Sequence, residues 1–391
     1  MKSKVFNPGL LSGVVISLCS VLLAPAAQAA CTGTELSICP APFDAPLPDP
    51  HNMLTWSQTD RVIGFRNDYR NYAGDVFHHG NAVPLQAAAK RLTDASYRVN
   101  GQTWNLQDYL RRQNVSGMLV LKNGKVAWKY LAEGNTDTTL WTSRSVGKSV
   151  VATLVGVAIK QGKIHSLDDL ITQYEPDLKG TAWDGVTLKQ LISHTSGVAW
   201  NEDYTNPQSD FARLTECEAR PGAYDCVRQL VSGLRRAHPA GENWSYSSGG
   251  AWLLGDVLER ATGMTLAAYL EKSIWQPYGM ASDGVWHAYT KGEHDVGAHG
   301  FNATLEDWGA SVSSFCITAC CRTASRSCRK TGLPSHHAGL GRQARCPRRI
   351  HTVFTATSGG TMKCRPMRPT LNLRRRHPFN IRCGHWAFLV R

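Results

Sequence analysis

The feature that most limits what this chain can fold into is a break in composition near residue 310. From there to the end it has 16 Lys and Arg, no Asp or Glu, and seven of its 12 cysteines. Residues 1–309 therefore carry 27 basic against 30 acidic residues, and the net charge of +13 belongs to the tail. The tail has no fold signature. By its length of 391 residues, the chain is long enough for one large or two ordinary domains.

The tail itself has two explanations. Its Arg-rich composition favours nucleic-acid binding, but a one-nucleotide slip near Gly309 explains it more plainly. If the last base of each codon is joined to the first two of the next, residues 354–360 permit Tyr-Gly-Tyr-Gln-Trp-Trp and residues 384–391 permit Ala-Leu-Gly-Ile-Phe-Gly-Gln. We predict that residues 310–391 are out of frame, through a pseudogene or a sequencing error, and form no native structure.

The N-terminus predicts export. Lys2 and Lys4 precede an apolar stretch at 10–23, and residues 27–29 fit a small-x-small cleavage site. We expect a signal peptide over 1–29 and a periplasmic or secreted protein. A membrane anchor is less consistent with so short a stretch, and a lipid-bearing Cys31 is disfavoured because residue 28 is polar.

Cysteine spacing agrees with an oxidising compartment. Cys31 and Cys39 bracket one short loop, and Cys217 and Cys226 bracket another. Each pair is predicted to form a local disulfide; two pairs of free thiols are the alternative. Neither pair has the neighbouring ligands of a zinc site.

Local patterns predict strands first and helices later. Asn123-Gly124 joins two β-rich runs, 118–121 and 126–130, as a hairpin. An apolar helix is predicted over 145–161, with almost no polar face. Capping patterns predict three further helices: one that follows residues 166–169 and ends near Pro176, one over 188–193 after Thr187, and one over 266–275 after Thr265. An apolar helix is also expected over 251–261. Residues 40–60 are predicted to form an extended arm.

Ser145 and Lys148 begin the helix at 145–161. Positions three apart share a helix face, so the hydroxyl and the amine can meet. A lysine in a partly desolvated pocket can lose its proton and activate the serine. The spacing is weak by itself, because residues 327–330 in the tail repeat it.

Other residues have a structural and a functional interpretation. Tyr246 could relay a proton or simply pack at a loop-to-helix junction. His194 could be a base, but its position at a helix end favours a structural role. Tyr204 could bind substrate or be an ordinary surface aromatic, while Trp183 and Trp200 fit packing or a cleft wall.

Three ordered segments together resemble a known family. The run at 141–149, the Leu-Lys-Gln-Leu-Ile-Ser-His-Thr-Ser-Gly at 188–197 and Tyr246-Ser247-Ser248 are similar to the serine β-lactamase and penicillin-binding protein superfamily. The branch most resembled is the class C-like serine hydrolases that include 6-aminohexanoate-dimer hydrolase. The resemblance covers about 100–309, and the re-read tail extends it.

The resemblance implies an α+β fold of the β-lactamase/transpeptidase type, in which an antiparallel sheet is flanked by helices and carries a mainly helical insertion. It implies an N-terminal arm and helix at 30–99, an incomplete catalytic domain at 100–309 and the out-of-frame tail at 310–391. In this fold the first strands pair with the last. The printed chain, lacking those last strands and a closing helix, is predicted to be inactive and poorly folded.

The resemblance also implies site roles. Ser145 would be the nucleophile, Lys148 or Tyr246 the base, and Tyr246 the proton relay to the leaving group. Ser248, where relatives often carry Asn, would contact substrate. The Ser145 N–H would form half of an oxyanion hole, with the other half and a third motif encoded beyond the slip.

The predicted function is hydrolysis of a small-molecule amide or ester through a serine acyl-enzyme. The substrate stays open among β-lactams, D-alanyl peptides, esters and aminohexanoate oligomers, as does the oligomeric state. A non-catalytic relative that binds penicillin or cell-wall peptide is the main alternative, and nucleic-acid binding is a third. No metal or cofactor is predicted, because residues 1–309 show no ligand cluster or Gly-rich phosphate loop. No membrane span is expected after the signal.

Overall fold

The computed structural model describes Leu36, residues 46–312 and the backbone of 385–390. The helices of these residues are α1 Gln58–Arg66, α2 Leu106–Arg112, α3 Gly147–Lys160, α4 Leu188–Ile192, α5 Asp210–Glu218, α6 Ala223–Ser232, α7 Ser248–Thr262 and α8 Leu266–Leu270, and residues 305–312 are helical as well. The strands are β1 Ala73–Phe77, β2 Ser96–Val99, β3 Gln102–Asn105, β4 Gly117–Lys122, β5 Lys125–Leu131, β6 Leu140–Thr142, β7 Gly284–Thr290, β8 His294–Asp295, β9 Phe301–Thr304 and β10 His385–Val390.

The strands of the described residues form three antiparallel sheets. One has the order β1-β7-β9-β6, with β8 added beside β7. The second has the order β10-β4-β5, and the third is the hairpin of β2 and β3. Helices α3 to α8 all lie between β6 and β7 in the chain. A mainly helical segment therefore interrupts the first sheet. The predicted α+β class is confirmed.

The β4–β5 hairpin forms where the sequence predicts it. Lys122 lies opposite Lys125, so Asn123 and Gly124 are the two turn residues. Both have positive φ, 54° and 72°, the backbone that a two-residue hairpin turn requires. The turn thus sets the register of β4 against β5 where the two strands meet.

Within the described residues, the tail contributes strand β10. Strand β10 pairs antiparallel with β4, and Val390 lies opposite Gly117. A β-ladder is made by main-chain groups, so an extended run with β-prone residues can pair with an open edge. Residues 313–384 and Arg391 lie outside the described residues, and the slip itself stays a prediction.

Two helices make the centre of the core. In α3 the buried side chains include Val151, Leu154 and Val155; α7 is buried over its first twelve residues, from Ser248 to Glu259. The predicted helix at 145–161 forms as α3, but its first turn, Arg144–Val146, is a 3₁₀ turn. Because α7 packs against α3, the Ser145–Lys148 pair at the N-terminus of α3 lies close to Tyr246, which precedes α7.

The α-helix expected after Ser166 is wrong. The chain instead makes 3₁₀ turns at Ile171–Gln173 and Pro176–Leu178. The Asp169 carboxylate accepts from the backbone of His165 and Ser166 and from the Tyr174 hydroxyl at 2.6–3.0 Å. Side-chain bonds of this kind offer the backbone an alternative to a helix.

Two other boundaries differ from expectation. The extended arm predicted at 40–60 includes a 3₁₀ helix, Pro50–Thr55, and then α1. A capping box between Ser57 and Asp60 starts α1 there. The helix predicted at 266–275 ends as α8 at Leu270 and continues as a π-helix, Glu271–Trp275.

Cys217 and Cys226 form a disulfide between α5 and α6, as predicted for that pair. Cys31 and Cys39 lie outside the described residues, as does the predicted signal peptide. Within the part of the chain that is described, no helix has the length and hydropathy needed to cross a bilayer.

Candidate active site

Ser145 and Lys148 meet as their spacing predicts. Ser145 is exposed in the turn between β6 and α3, and Lys148 lies one turn further on. The Lys148 Nζ donates to Ser145 Oγ at 3.0 Å and to the carbonyl of Ala298 at 2.8 Å. The second bond fixes the amine beneath the serine hydroxyl.

Burial changes the charge state of Lys148. Desolvation lowers its pKa to about 8, against the opposing effect of Glu202 and Glu218. A lysine with this pKa is partly neutral near physiological pH, since an ordinary lysine titrates near 10.4. Lys148 can therefore accept a proton from Ser145.

Tyr246 comes to the same point from the other helix. It lies two residues before α7, and its ring centroid is 5.2 Å from Lys148 Nζ. Burial raises the pKa of Tyr246, and Glu202 raises it further, whereas hydrogen bonds with Ser145 and Ser248 lower it. The net shift is upward, so the phenol keeps its proton and can donate it.

Glu202 links the remaining predicted residues, a role that the sequence analysis missed. Its carboxylate accepts from the Ser248 hydroxyl at 2.6 Å, from the Ser248 N–H at 2.9 Å and from the Tyr204 hydroxyl at 3.1 Å. It also accepts from Trp200 Nε1. Tyr204 is 48% exposed and Ser248 only 3%. Tyr204 thus stands at the surface, and Ser248 lies behind Tyr246.

His194 is buried and used by the backbone. Its Nδ1 accepts from the Ser247 N–H at 3.2 Å, and its carbonyl accepts from the Ser245 N–H at 2.8 Å. Burial, and then Lys148, lower its pKa to about 4, so it is neutral at pH 7. It holds the loop that presents Tyr246, which supports the structural interpretation.

One acidic cluster has the composition of a metal site. Asp256, Glu259 and His294 place potential ligand atoms within 4.8 Å of one another. Asp256 already accepts from Arg228 and Tyr224, and Glu259 already accepts from His294 and from backbone N–H groups. Their oxygens serve protein donors, so we assign the cluster to the fold.

Comparison with known proteins places the site in a family context. The sequence profile of the β-lactamase family matches residues 104–315, a range that includes Ser145, Lys148 and Tyr246. Within curated proteins, the chain is 27% identical over 197 residues to 6-aminohexanoate-dimer hydrolase of Paenarthrobacter ureafaciens. That match covers 49% of this chain and 47% of the relative.

A second relative is the esterase EstB of Burkholderia gladioli, which is 30% identical over 193 residues. That match covers 45% of this chain and 48% of the esterase. The chain thus spans about half the length of these curated relatives. Among solved structures, a Bacillus anthracis protein provisionally assigned as a 6-aminohexanoate-dimer hydrolase superposes with a TM-score of 0.59 at 18% identity. The superposition covers 68% of this chain and 72% of the Bacillus anthracis chain. This similarity shows that the two proteins share a fold.

Proposed function

The chain belongs to the β-lactamase family, and on that premise we propose that it is a serine hydrolase that opens a small amide or ester bond through an acyl-enzyme on Ser145. Its relatives include a 6-aminohexanoate-dimer hydrolase, an esterase and a β-lactamase. The substrate class common to these relatives is a carbonyl attached to a nitrogen or oxygen leaving group.

The observation that carries the proposal is the 3.0 Å contact between Lys148 Nζ and Ser145 Oγ, with the pKa of the amine lowered to about 8. At pH 7 about a tenth of the molecules have a neutral Lys148. In these, Ser145 Oγ attacks the substrate carbonyl while its proton passes to Nζ. The Ser145 N–H, in the 3₁₀ turn that leads into α3, is proposed to stabilise the resulting oxyanion.

Tyr246 is proposed to finish the first half-reaction. Because its pKa is raised, we assign the base to Lys148 and the acid to Tyr246. The phenol gives its proton to the leaving nitrogen or oxygen as the carbonyl–leaving-group bond breaks. Lys148 then passes the proton that it took from Ser145 to the Tyr246 phenolate. An acyl ester on Ser145 remains, and water hydrolyses it.

Glu202 supports this arrangement from behind. By binding the Ser248 hydroxyl and the Tyr204 hydroxyl, it fixes both side chains beside Tyr246. We propose that the exposed Tyr204 contacts the substrate. Ser248 is buried and hydrogen-bonded to Tyr246, so the expected substrate contact of Ser248 is replaced by a role in holding Tyr246.

The printed tail enters the proposal too. The described residues have a large buried core that includes α3 and α7. We therefore propose, against the expectation of a poorly folded product, that this chain folds well enough to react with an acylating probe. If the second oxyanion donor is encoded beyond a slip near Gly309, the chain should still turn over esters poorly. We propose export as the location of the protein. The Cys217–Cys226 disulfide supports an oxidising compartment.

The test is labelling with a fluorophosphonate. The purified 391-residue chain should give one adduct, on the peptide that contains Ser145, and Ser145→Ala should abolish it. Ser149→Ala, an exposed serine one turn further on α3, should label normally. Failure of Ser145 to label in a sample that shows a cooperative thermal unfolding transition would refute the proposed function.

Turnover separates the finer claims. Ser145-dependent hydrolysis of a chromogenic short-chain ester by the printed chain would overturn its predicted inactivity. In the chain re-read in the other frame, rapid ester turnover is expected. A stable adduct with fluorescent penicillin and no turnover there would instead establish the binding relative.

A further inference from the structure

The residue directly before the nucleophile has an unusual backbone. Arg144 has a φ of +42°, in the left-handed region that non-glycine residues seldom adopt. Such a conformation costs free energy and persists only where neighbouring contacts impose it. Because Arg144 leads into Ser145, its φ sets the direction in which the serine enters α3.

A buried carboxylate holds Arg144. Its Nη2 donates to Asp68 Oδ1 at 2.6 Å, and Asp68 is fully buried while the Arg144 side chain is 28% exposed. The guanidinium also lies over the ring of Phe65, 5.7 Å from its centroid. A planar guanidinium held at both a carboxylate and an aromatic face has little freedom to move.

The other oxygen of Asp68 holds the strand that precedes Arg144. It accepts from Thr142 Oγ1 at 2.7 Å, and His287 Nε2 is 3.6 Å away. Burial raises the pKa of Asp68, but the opposing effects of Arg144, His287 and Thr142 together leave it below its usual value. Asp68 is therefore ionised, and it accepts hydrogen bonds from Thr142 and Arg144, the residues on either side of Ser143.

Asp68 belongs to a part of the chain that the family match does not reach. It lies in the 3₁₀ turn Asp68–Arg70, 76 residues before Arg144 and outside the matched range 104–315. The N-terminal segment thus supplies a group to the turn that carries the nucleophile.

We propose that Asp68 is a positioning residue for Ser145. Its carboxylate holds Arg144 in the left-handed conformation, and that conformation keeps Ser145 Oγ within hydrogen-bonding distance of Lys148 Nζ. The inference rests on the proposed function for its kinetic consequences, while its conformational part stands by itself.

Two substitutions of Arg144 separate the backbone from the ion pair. Arg144→Ala and Arg144→Gly both lose the guanidinium, but only glycine adopts positive φ without strain. We expect Arg144→Gly to react with a fluorophosphonate about tenfold faster than Arg144→Ala. It should also melt about 3 °C higher, although glycine has the greater entropy when unfolded.

The matched control is a pair of substitutions at Val146, two residues after Arg144. Val146 has an ordinary helical φ of −64°, so Val146→Gly should melt below Val146→Ala, the reverse of the order at 144. Equal labelling and equal melting of the two Arg144 variants would overturn the inference.

Asp68→Asn then tests the link to Asp68. In the Arg144 chain it should slow labelling about tenfold, and in the Arg144→Gly chain by less than about twofold. The same loss in both backgrounds would mean that Asp68 acts only as a fold residue. If no chain labels at all, the proposed function fails. The melting temperatures of the same four chains still decide the conformational claim, because the loss caused by Asp68→Asn should be smaller in the Arg144→Gly chain.

Discussion

Two arginine–carboxylate groups in this molecule share their chemistry and differ in what they hold. Arg144 pairs with the buried Asp68 at 2.6 Å. Arg228 pairs with the buried Glu175 at 2.8 Å and also contacts Asp256. The first arginine has a left-handed backbone next to a nucleophile, while the second lies inside the regular helix α6.

The difference shows that the role of an ion pair depends on which part of the backbone it holds in place. Arg228 ties α6 to α7 and to the segment before it, and Arg260 adds a further contact to Glu175. Loss of that group should weaken the fold and leave Ser145 in place. Loss of the Asp68 contact should disturb Ser145 first.

The largest effect is expected at the reacting pair itself. Lys148→Met should slow fluorophosphonate labelling about 10³-fold, because the base is lost. The melting temperature should not fall, since the substitution removes a desolvated amine from α3. Labelling kinetics and thermal melting on one sample measure both. A large loss of stability with labelling intact would contradict the assignment of Lys148.

The next effect should appear in the other group. Arg228→Met should lower the free energy of unfolding by about 3 kcal/mol, because it leaves the carboxylates of Glu175 and Asp256 buried with less compensation. Urea unfolding measures this. The matched control is Arg220→Met, which breaks the exposed pair with Glu216 and should cost under about 1 kcal/mol.

Labelling completes that experiment. Under conditions where Arg228→Met is folded, its rate of reaction should equal that of the unaltered chain. A slower rate at full folding would show that the two groups are coupled, and the contrast drawn between them would fail.

The smallest effect is expected at Thr142. Thr142→Val keeps the shape of the side chain but removes its bond to Asp68, which should cost about 1 kcal/mol of stability. Labelling should change by about twofold or less, because Arg144 still reaches Asp68. Thr153→Val, whose hydroxyl bonds only within α3, is the control. A tenfold loss of labelling would move the positioning role from Arg144 to the strand.

Much of the site could be predicted because it is local. Ser145 and Lys148 meet through helix geometry, and Asn123-Gly124 defines a hairpin without reference to the rest of the chain. The links from Glu202 to Ser248 and from Asp68 to Arg144 could not be found in this way, because these partners lie 46 and 76 residues away. No spacing rule connects positions that only the folded chain brings together.

The wrong predictions have a similar origin. Ser166 and Thr187 both precede a residue that can complete a cap, yet only Thr187 begins a helix. Tyr174 gives the Asp169 carboxylate another donor, and the chain turns instead. The domain boundaries at 29, 99 and 309 stay predictions.

The central claim is that Lys148 activates Ser145, and the pH dependence of labelling tests it most directly. The rate of fluorophosphonate addition to Ser145 should be measured from about pH 6 to pH 10 in the unaltered chain and in Lys148→Met. Because the neutral amine is the active form, the unaltered chain should react faster as pH rises through about 8 and level off above it. Lys148→Met should be slow and show no such step. A step of the same size and midpoint in both chains would contradict the claim.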